Sequence, residues 1–234
     1  MNARLVGAAE FFETIAPRYD REYGLDGAST RARMQRILAA LPSTARVLDL
    51  GVGTGRELPE LLDAGHVVVG LDVSEKMLAI CARRARPIEL VRADLWRELP
   101  FLDASFDAVL ALHGTLSHPP EDEPAGDAIA RLAGEIARVL RPGGLWLTEV
   151  PSPGWLEAVR AGALPSVRLV DGAGDPRCLH EDGRAGVAVA ATILAPARWQ
   201  ELLAPRFGVT VESISAVEQL VLALKPATVQ ASPK

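Results

Sequence analysis

The chain has 234 residues, 49% hydrophobic and 24% charged, a balance typical of one globular domain with a large buried core. Its formal net charge of -5, from 30 acidic and 25 basic side chains, disfavours a broad nucleic-acid-binding surface. The two cysteines, Cys81 and Cys178, form neither a disulfide framework nor a metal-binding pair, so we expect a cytoplasmic protein. No apolar run reaches the roughly 18 residues that a membrane span needs, and we expect neither a signal peptide nor a membrane segment.

The first forty residues are predicted to be helical and to cover one edge of the sheet that follows them. Apolar and aromatic side chains recur there at helical spacing. They are Phe12, Ile15, Tyr19, Tyr23, Met34, Ile37, Leu38 and Leu41.

Apolar segments that alternate with helical patterns predict five strands before residue 151. Ser74 is typical of a helix N-cap, and Gly65 is typical of a helix C-terminus. A helix that contains Ile129 and Leu140 is expected to stop at 142–144, with Arg141 in its last turn. The five strands are predicted at 46–50, 67–71, 88–91, 106–112 and 145–150.

The C-terminal part is predicted to contain a short helix near Trp199 and two strands, 209–214 and 219–224, which pair antiparallel because their connection is short. The region 151–185 is rich in Pro, Gly and Asp, with a short helix around 155–159. Alternating strands and helices indicate an α/β fold, in which an open, mostly parallel sheet carries helices on both faces.

A glycine-rich turn between the first strand and its helix is the main chemical signal. Gly51, Gly53 and Gly55 allow a positive φ and a close approach of the backbone to a ligand, and the next helix offers unpaired N–H groups. Asp72 ends the second strand about twenty residues later, where a carboxylate can accept hydrogen bonds from a ribose. Together they predict a nucleoside-containing cofactor at the switch point of the sheet.

A nicotinamide dinucleotide is the first cofactor to consider. Its fingerprint would need glycine or alanine at position 56 for close helix packing, and Arg56 stands there. The sequence therefore disfavours an NAD-dependent oxidoreductase.

Four stretches in order and spacing resemble those of class I methyltransferases that depend on S-adenosylmethionine (SAM). The resemblance spans roughly residues 8 to 225 and favours the subgroup that acts on small molecules, including quinone and polyketide methylators. The stretches are VLDLGVGTG at 47–55, GLDVSEKML at 70–78, ADLW at 93–96 with LPF at 99–101 and SFDAV at 105–109, and ARVLRPGG at 137–144.

This resemblance implies a Rossmann-like α/β fold: an open, mostly parallel seven-stranded sheet with helices on both faces and an antiparallel C-terminal hairpin. It implies one methyltransferase domain over 1–234. We divide that domain into an N-terminal helical lid (1–42), a SAM-binding core (43–150), a variable substrate-cover insertion (151–196), and a C-terminal helix and β-hairpin (197–226).

The resemblance also implies the cofactor contacts. Tyr19 would belong to a lid over the cofactor. The methionine part of SAM would lie on Asp49, Gly51, Gly53 and Thr54, the ribose on Asp72, the adenine between Val73, Met77, Asp94 and Leu95, and the sulfonium beside Leu112 and His113.

His113 and His118 are candidates for a general base, because histidine titrates near neutrality and both follow the fourth strand. The alternative is that they only shape the pocket. We expect no metal: the acidic residues 119–124 and the potential ligands Cys178, His180, Glu181 and Asp182 are interpreted as solvated loops.

The leading hypothesis is methyl transfer to a small molecule, giving S-adenosylhomocysteine (SAH), with no nucleic-acid or membrane partner. Two alternatives stay open: methylation of a tRNA base, and a non-catalytic SAM-binding regulator or partner protein. The small-molecule hypothesis predicts a largely apolar acceptor pocket beside Leu112, His113, Glu149 and the cover at 151–185. The sequence does not indicate an oligomeric state.

Overall fold

The computed structural model describes residues 3–23, 27–84, 87–170 and 174–227, without the side chains of 27–30. In chain order its helices are α1 (Ala8–Ile15), α2 (Tyr19–Glu22), α3 (Gly27–Ala40), α4 (Leu58–Asp63), α5 (Glu75–Arg84), α6 (Ala125–Val139), α7 (Pro153–Arg160) and α8 (Pro196–Leu203). Its strands are β1 (Arg4–Leu5), β2 (Arg46–Leu50), β3 (Val67–Asp72), β4 (Glu89–Arg92), β5 (Phe106–Ala111), β6 (Leu140–Pro151), β7 (Val167–Val170), β8 (Arg177–Asp182), β9 (Val187–Thr192), β10 (Gly208–Ser213) and β11 (Glu218–Leu224).

The larger sheet has seven strands in the order β10-β11-β6-β5-β2-β3-β4. From β6 to β4 all neighbouring strands run parallel. The C-terminal strands β11 and β10 add to that sheet antiparallel. The predicted α/β fold, with its mostly parallel seven-stranded sheet and C-terminal hairpin, is confirmed.

Both faces of the central strands β2, β3 and β5 are buried, which explains why these strands are apolar nearly throughout. Successive side chains of β2 point to opposite faces. Leu48 and Leu50 pack with Ile129 of α6 in one core, whereas Val47 packs with Met34 of α3 in the other. The only polar side chain of β2 that is buried is Asp49, at the carboxyl end of the strand.

Local signals place most helix ends correctly. The Met77 N–H donates to Ser74 Oγ at 3.1 Å, so Ser74 caps α5, and Gly65 has a φ of +87° just after α4. The predicted end of α6 is wrong by a few residues: the helix ends at Val139, and Arg141 lies in β6. The third strand begins at Glu89, one residue later than predicted.

A second sheet, in the order β1-β9-β8-β7, was not predicted. The helix expected near 155–159 is present as α7, but the interpretation of Cys178, His180, Glu181 and Asp182 as a solvated loop is wrong. They lie in β8, which pairs antiparallel with β7 and β9. The chain start completes this sheet, because β1 pairs parallel with β9.

The second sheet supports the N-terminal helices beside the carboxyl ends of the larger sheet. Phe11 and Ile15 of α1 pack in one cluster with Val187 and Val189 of β9. The division of the chain into lid, core, insertion and hairpin stays a prediction. Within the described ranges, no helix is both long and apolar enough to cross a membrane.

Candidate active site

A cavity of about 280 Å³ opens at the carboxyl ends of β2, β3 and β5, beneath the N-terminal helices. It includes every residue that the sequence proposed for the cofactor or for catalysis. These are Tyr19, Asp49, Gly51, Gly53, Thr54, Asp72, Val73, Met77, Asp94, Leu95, Leu112, His113 and His118. The structure therefore brings the candidate residues together, and their individual roles stay predictions.

The glycine-rich turn at this cavity requires glycine at Gly51 for two reasons. The residue has a φ of +73°, and a Cβ there would lie 2.6 Å from Thr115 Cγ2. At Gly53, with a φ of +55°, a Cβ would meet the Gly51 carbonyl oxygen at 3.8 Å, an ordinary contact distance. The turn thus leaves room for a ligand against its backbone at Gly53.

Asp72 connects this turn to the end of β3. Its Oδ2 accepts the Gly53 N–H at 2.9 Å, and its Oδ1 accepts the Ser74 N–H at 2.8 Å. Burial raises the pKa of Asp72, and these backbone donors oppose the rise. Each carboxylate oxygen has a second acceptor site, so the side chain can still receive two hydroxyl groups of a ligand.

Asp49 is a buried carboxyl group without a donor. It is 4% exposed, and no described residue donates a hydrogen bond to its side chain. Burial raises its pKa well above the usual range, and the carboxylates of Glu57 and Asp72 raise it further. A carboxyl group in this position is stabilised by a cation that enters the cavity.

Asp94 lines the cavity from the segment after β4. Its Oδ1 accepts the Trp96 N–H at 2.9 Å, and its Oδ2 lies 3.8 Å from Arg97 Nε. Val73, Met77 and Leu95 also line the cavity. The site therefore combines apolar side chains with one carboxylate in the region proposed for the adenine.

The N-terminal helices, which the sequence predicted to form a lid, are held to the glycine-rich turn by polar contacts. Thr54 Oγ1 donates to Asp20 Oδ1 at 2.6 Å, so its hydroxyl group is directed to the lid. Asp20 also pairs with Arg84. The Arg56 guanidinium lies 4.9 Å from the centre of the Tyr19 ring and donates to the Tyr19 hydroxyl at 3.3 Å. Arg56, which entered the sequence analysis only as evidence against NAD, thus holds α2 against the glycine-rich turn.

His113 belongs to a buried charged network that the sequence did not predict. Its Nε2 contacts the Glu57 carboxylate, and its Nδ1 lies 3.1 Å from Arg33 Nη1. Arg33 also donates to Glu57 at 2.9 Å and to Glu149 at 3.3 Å. Burial would raise the pKa of Glu57, but the hydrogen bond and charge of His113, together with Arg33, lower it to about 2. Both ring nitrogens of His113 are therefore engaged by the protein.

His118 has a different environment. Its Nδ1 lies 2.8 Å from the Ala190 carbonyl oxygen, which can only accept, so Nδ1 carries the proton and Nε2 keeps its lone pair. Burial lowers its pKa to about 4, and nearby His180 lowers it as well, against the carbonyl contact. His118 is thus a neutral imidazole with a free acceptor nitrogen among the described residues.

A second cavity of about 220 Å³ adjoins the first and shares Phe12, Tyr19, Arg56, His113 and His118 with it. It lies where the acceptor pocket was predicted, beside His113, Glu149 and the cover. Much of its wall is aromatic and apolar, and charged side chains, which the expectation did not include, add to it. The wall also contains Phe11, Tyr23, Trp155, His180, Glu149 and Glu218.

Nothing in the described ranges groups three or more His, Cys, Asp or Glu side chains as a metal site. The expectation that the protein uses no metal remains a prediction.

The chain is similar to known methyltransferases in sequence. A profile of the family described as "Methyltransferase domain" matches residues 47–144, which begin in β2 and end in β6. A demethylmenaquinone methyltransferase of Beutenbergia cavernae is 39% identical over 153 residues, which cover 63% of this chain and 59% of that protein. The chain thus spans less than two thirds of the length of this relative.

Solved structures share the fold at low sequence identity. The PH0226 protein from Pyrococcus horikoshii superposes with a TM-score of 0.73 at 20% identity, covering 94% of this chain and 100% of its own. A DhpI–SAH complex superposes with a TM-score of 0.68 at 18% identity, covering 94% and 96%. The profile thus matches a methyltransferase domain over residues 47–144, and the solved structures show that the chain shares the fold of SAM-dependent methyltransferases.

Proposed function

We propose that this chain transfers the methyl group of SAM to a small-molecule acceptor. The observation that carries the proposal is Asp49, a buried carboxyl group that faces the larger cavity and receives no hydrogen bond from the described residues. A carboxyl group so placed is unfavourable without a partner. SAM brings an ammonium group and a sulfonium, both positive, to a cavity lined by the carboxyl groups of Asp49, Asp72 and Glu57, and a cation there would favour the ionised form of Asp49.

We assign the candidate residues to SAM as follows. Asp49 would hold the ammonium group, the backbone of Gly51 and Gly53 would lie against the methionine part, and Asp72 would bind the ribose hydroxyls. Thr54 would act through the lid, since its hydroxyl group is bound to Asp20. The adenine would lie among Val73, Met77, Leu95 and Asp94, and the sulfonium near Leu112, His113 and Tyr19.

The same charges argue against NAD. A pyrophosphate at the glycine-rich turn would lie close to the carboxyl groups of Asp49, Asp72 and Glu57, and the cation Arg56, which also lines this cavity, is already bonded to Tyr19 and Tyr23. Like charges at short range in a buried site repel strongly. This adds a structural reason to the sequence-based argument from Arg56.

When bound, SAM supplies a methyl group on a sulfonium that is already a good leaving group. The protein must align the acceptor with that methyl group and exclude water. Phe12 and Tyr19 line both cavities, so the lid covers their junction. His118 Nε2 is available to accept a proton from the acceptor, because its pKa of about 4 keeps the ring neutral above about pH 5.

The second cavity supports a small acceptor with an aromatic or otherwise planar body, since Phe11, Phe12, Tyr23 and Trp155 line it. The relative from Beutenbergia cavernae is named for the methylation of demethylmenaquinone, a small molecule. A tRNA base is less favoured, because the net charge of -5 opposes phosphate binding. A non-catalytic SAM-binding protein would not need a second cavity that shares five residues with the first.

The test is methyl transfer from tritiated SAM to a panel of phenols, quinols and amines. We expect labelled product with the wild-type chain and with Asp122→Asn, a matched control at an exposed residue, and strongly reduced labelling with Asp49→Asn. Binding of SAH by a chain that labels no member of the panel would favour the non-catalytic alternative. Failure to bind either SAM or SAH would refute the proposal.

A further inference from the structure

We propose that the second cavity selects acceptors that carry a protonated amine, which Glu149 and Glu218 hold between them. The inference rests on the proposed methyl transfer, because it names the class of molecule that would be methylated in this site. It concerns recognition of the amine and does not depend on which atom of the acceptor receives the methyl group.

The two glutamates are brought together by the pairing of β6 and β11. In this antiparallel pair Glu149 lies opposite Leu220, and Glu218 lies opposite Pro151. Residues two positions apart on a strand face the same side, so Glu149 and Glu218 are diagonal neighbours on one face. Both line the second cavity.

Glu149 has an unused acceptor atom. The side chain is 3% exposed, and its Oε2 accepts from Arg33 Nη1 and from the His113 N–H, each at 3.3 Å. Its Oε1 is buried and has no hydrogen-bond partner among the described residues. A buried acceptor without a donor is unfavourable, and a ligand that donates a hydrogen bond here would remove that cost.

Glu218 shows the effect of a second negative charge. Burial raises its pKa, and the charge of Glu149 raises it further. A hydrogen bond from Ser215 Oγ at 3.3 Å and the charges of Arg33 and His113, which lie on the Glu149 side, oppose the rise. A cation placed near both carboxylates would favour their ionised forms. An ammonium group fits, because it has three donors and can serve the two glutamates at once.

The rest of the cavity wall is compatible with a cation. Phe11, Phe12 and Trp155 offer ring faces and edges to the body of such an acceptor. Among the described residues of this wall, Arg56 has the fixed positive charge, but its guanidinium donates to the Tyr23 carbonyl at 2.9 Å and to the Tyr19 hydroxyl. An acidic acceptor would instead have to recruit Arg56, and it is the competing class.

The experiment uses the full chain saturated with SAH and three probes of one size: 2-phenylethylamine, 2-phenylethanol and 3-phenylpropanoate. Calorimetry is done on wild type, Glu149→Gln, Glu218→Gln and Glu212→Gln, the last an exposed glutamate on neighbouring β10. We expect the amine to bind about tenfold or more tightly than the other two probes. Each of the first two substitutions should reduce amine affinity about tenfold and leave the alcohol unchanged, whereas Glu212→Gln should change neither.

The SAH titration in the same samples separates the two claims. If SAH does not bind wild type, the proposed function fails and this inference fails with it. If SAH binds but the amine does not, or if the alcohol or the carboxylate binds as well as the amine, only the inference is overturned. Because Glu149→Gln alters a buried group, its folding is checked by its SAH affinity, and the half-buried Glu218→Gln gives an independent result.

Discussion

Replacement of Arg33 by methionine should destabilise the fold strongly. Arg33 is 8% exposed and is the cation that Glu57 and Glu149 share at 2.9 and 3.3 Å. Removing one member of a buried ion pair typically costs about 3–5 kcal/mol, because the remaining charge is buried without compensation. Here His113 still contacts Glu57, so we expect about 3 kcal/mol.

The measurement is urea unfolding from pH 7 downward, with Arg36→Met on the exposed face of α3 as a control that should change stability by less than about 0.5 kcal/mol. The pKa of Glu57 is about 2 in the fold against 4.5 ordinarily, so its pairing stabilises the fold above about pH 4.5 and is lost as pH falls toward 2. The difference between wild type and Arg33→Met should therefore shrink over that window. A cost below about 1 kcal/mol at pH 7, or a cost independent of pH, would show that the ion pair between Arg33 and Glu57 does not stabilise the fold as described.

Three other features can be tested by substitution or chemical labelling: the glycine-rich turn, His118 and the two buried cysteines. Gly51→Ala should cost about 1–3 kcal/mol more unfolding free energy than Gly53→Ala, since both have a positive φ but only the first would contact Thr115; equal costs would contradict this. Because the pKa of His118 is lowered from 6.5 to about 4, wild type should lose stability as pH falls from 6.5 to 4, and His118→Gln should lose less in urea unfolding; parallel profiles would argue against it. Burial raises the pKa of Cys81 and Cys178 to about 12, so a thiol reagent at pH 8 should label them only after unfolding, and rapid labelling of the native protein would be inconsistent with their burial.

The larger sheet could be predicted because its signals are local. Apolar runs such as β2 and β5 are buried on both faces, and helical patterns connect β2 to β3, β3 to β4 and β5 to β6. The end of α6 was misjudged because Leu140, although apolar and in helical register, has extended backbone and pairs with Phe106. Competition between a helical pattern and strand pairing is decided by contacts that lie outside the segment.

The second sheet could not be predicted, since its order depends on distant pairings. Strand β9 is built of small, uniformly buried residues without alternation, and β8 ends in two acids, Glu181 and Asp182. Its parallel partner β1 lies at the other end of the chain. The partner of each strand therefore could not be read from the segments themselves.

In the candidate site too, residues in local motifs could be predicted, and residues whose partners are distant in sequence could not. Residues of the glycine-rich turn and Asp72 belong to local motifs, and the sequence identified them. Arg33 was missed because its partners Glu57 and Glu149 lie 24 and 116 residues away. Arg33 could have been noticed in the sequence because it is a charged residue beside Met34 and near Ile37, on the apolar face of a helix.

Whether the larger cavity binds SAM is best decided by calorimetric titration with SAH and with NADH, on wild type, Asp49→Asn and Asp122→Asn. We expect SAH to bind wild type and Asp122→Asn equally and NADH to bind neither. We expect about 30-fold weaker SAH binding to Asp49→Asn, the equivalent of about 2 kcal/mol for a lost charge-assisted hydrogen bond. Binding of NADH, or SAH affinity that does not change in Asp49→Asn, would contradict the assignment of this cavity to SAM.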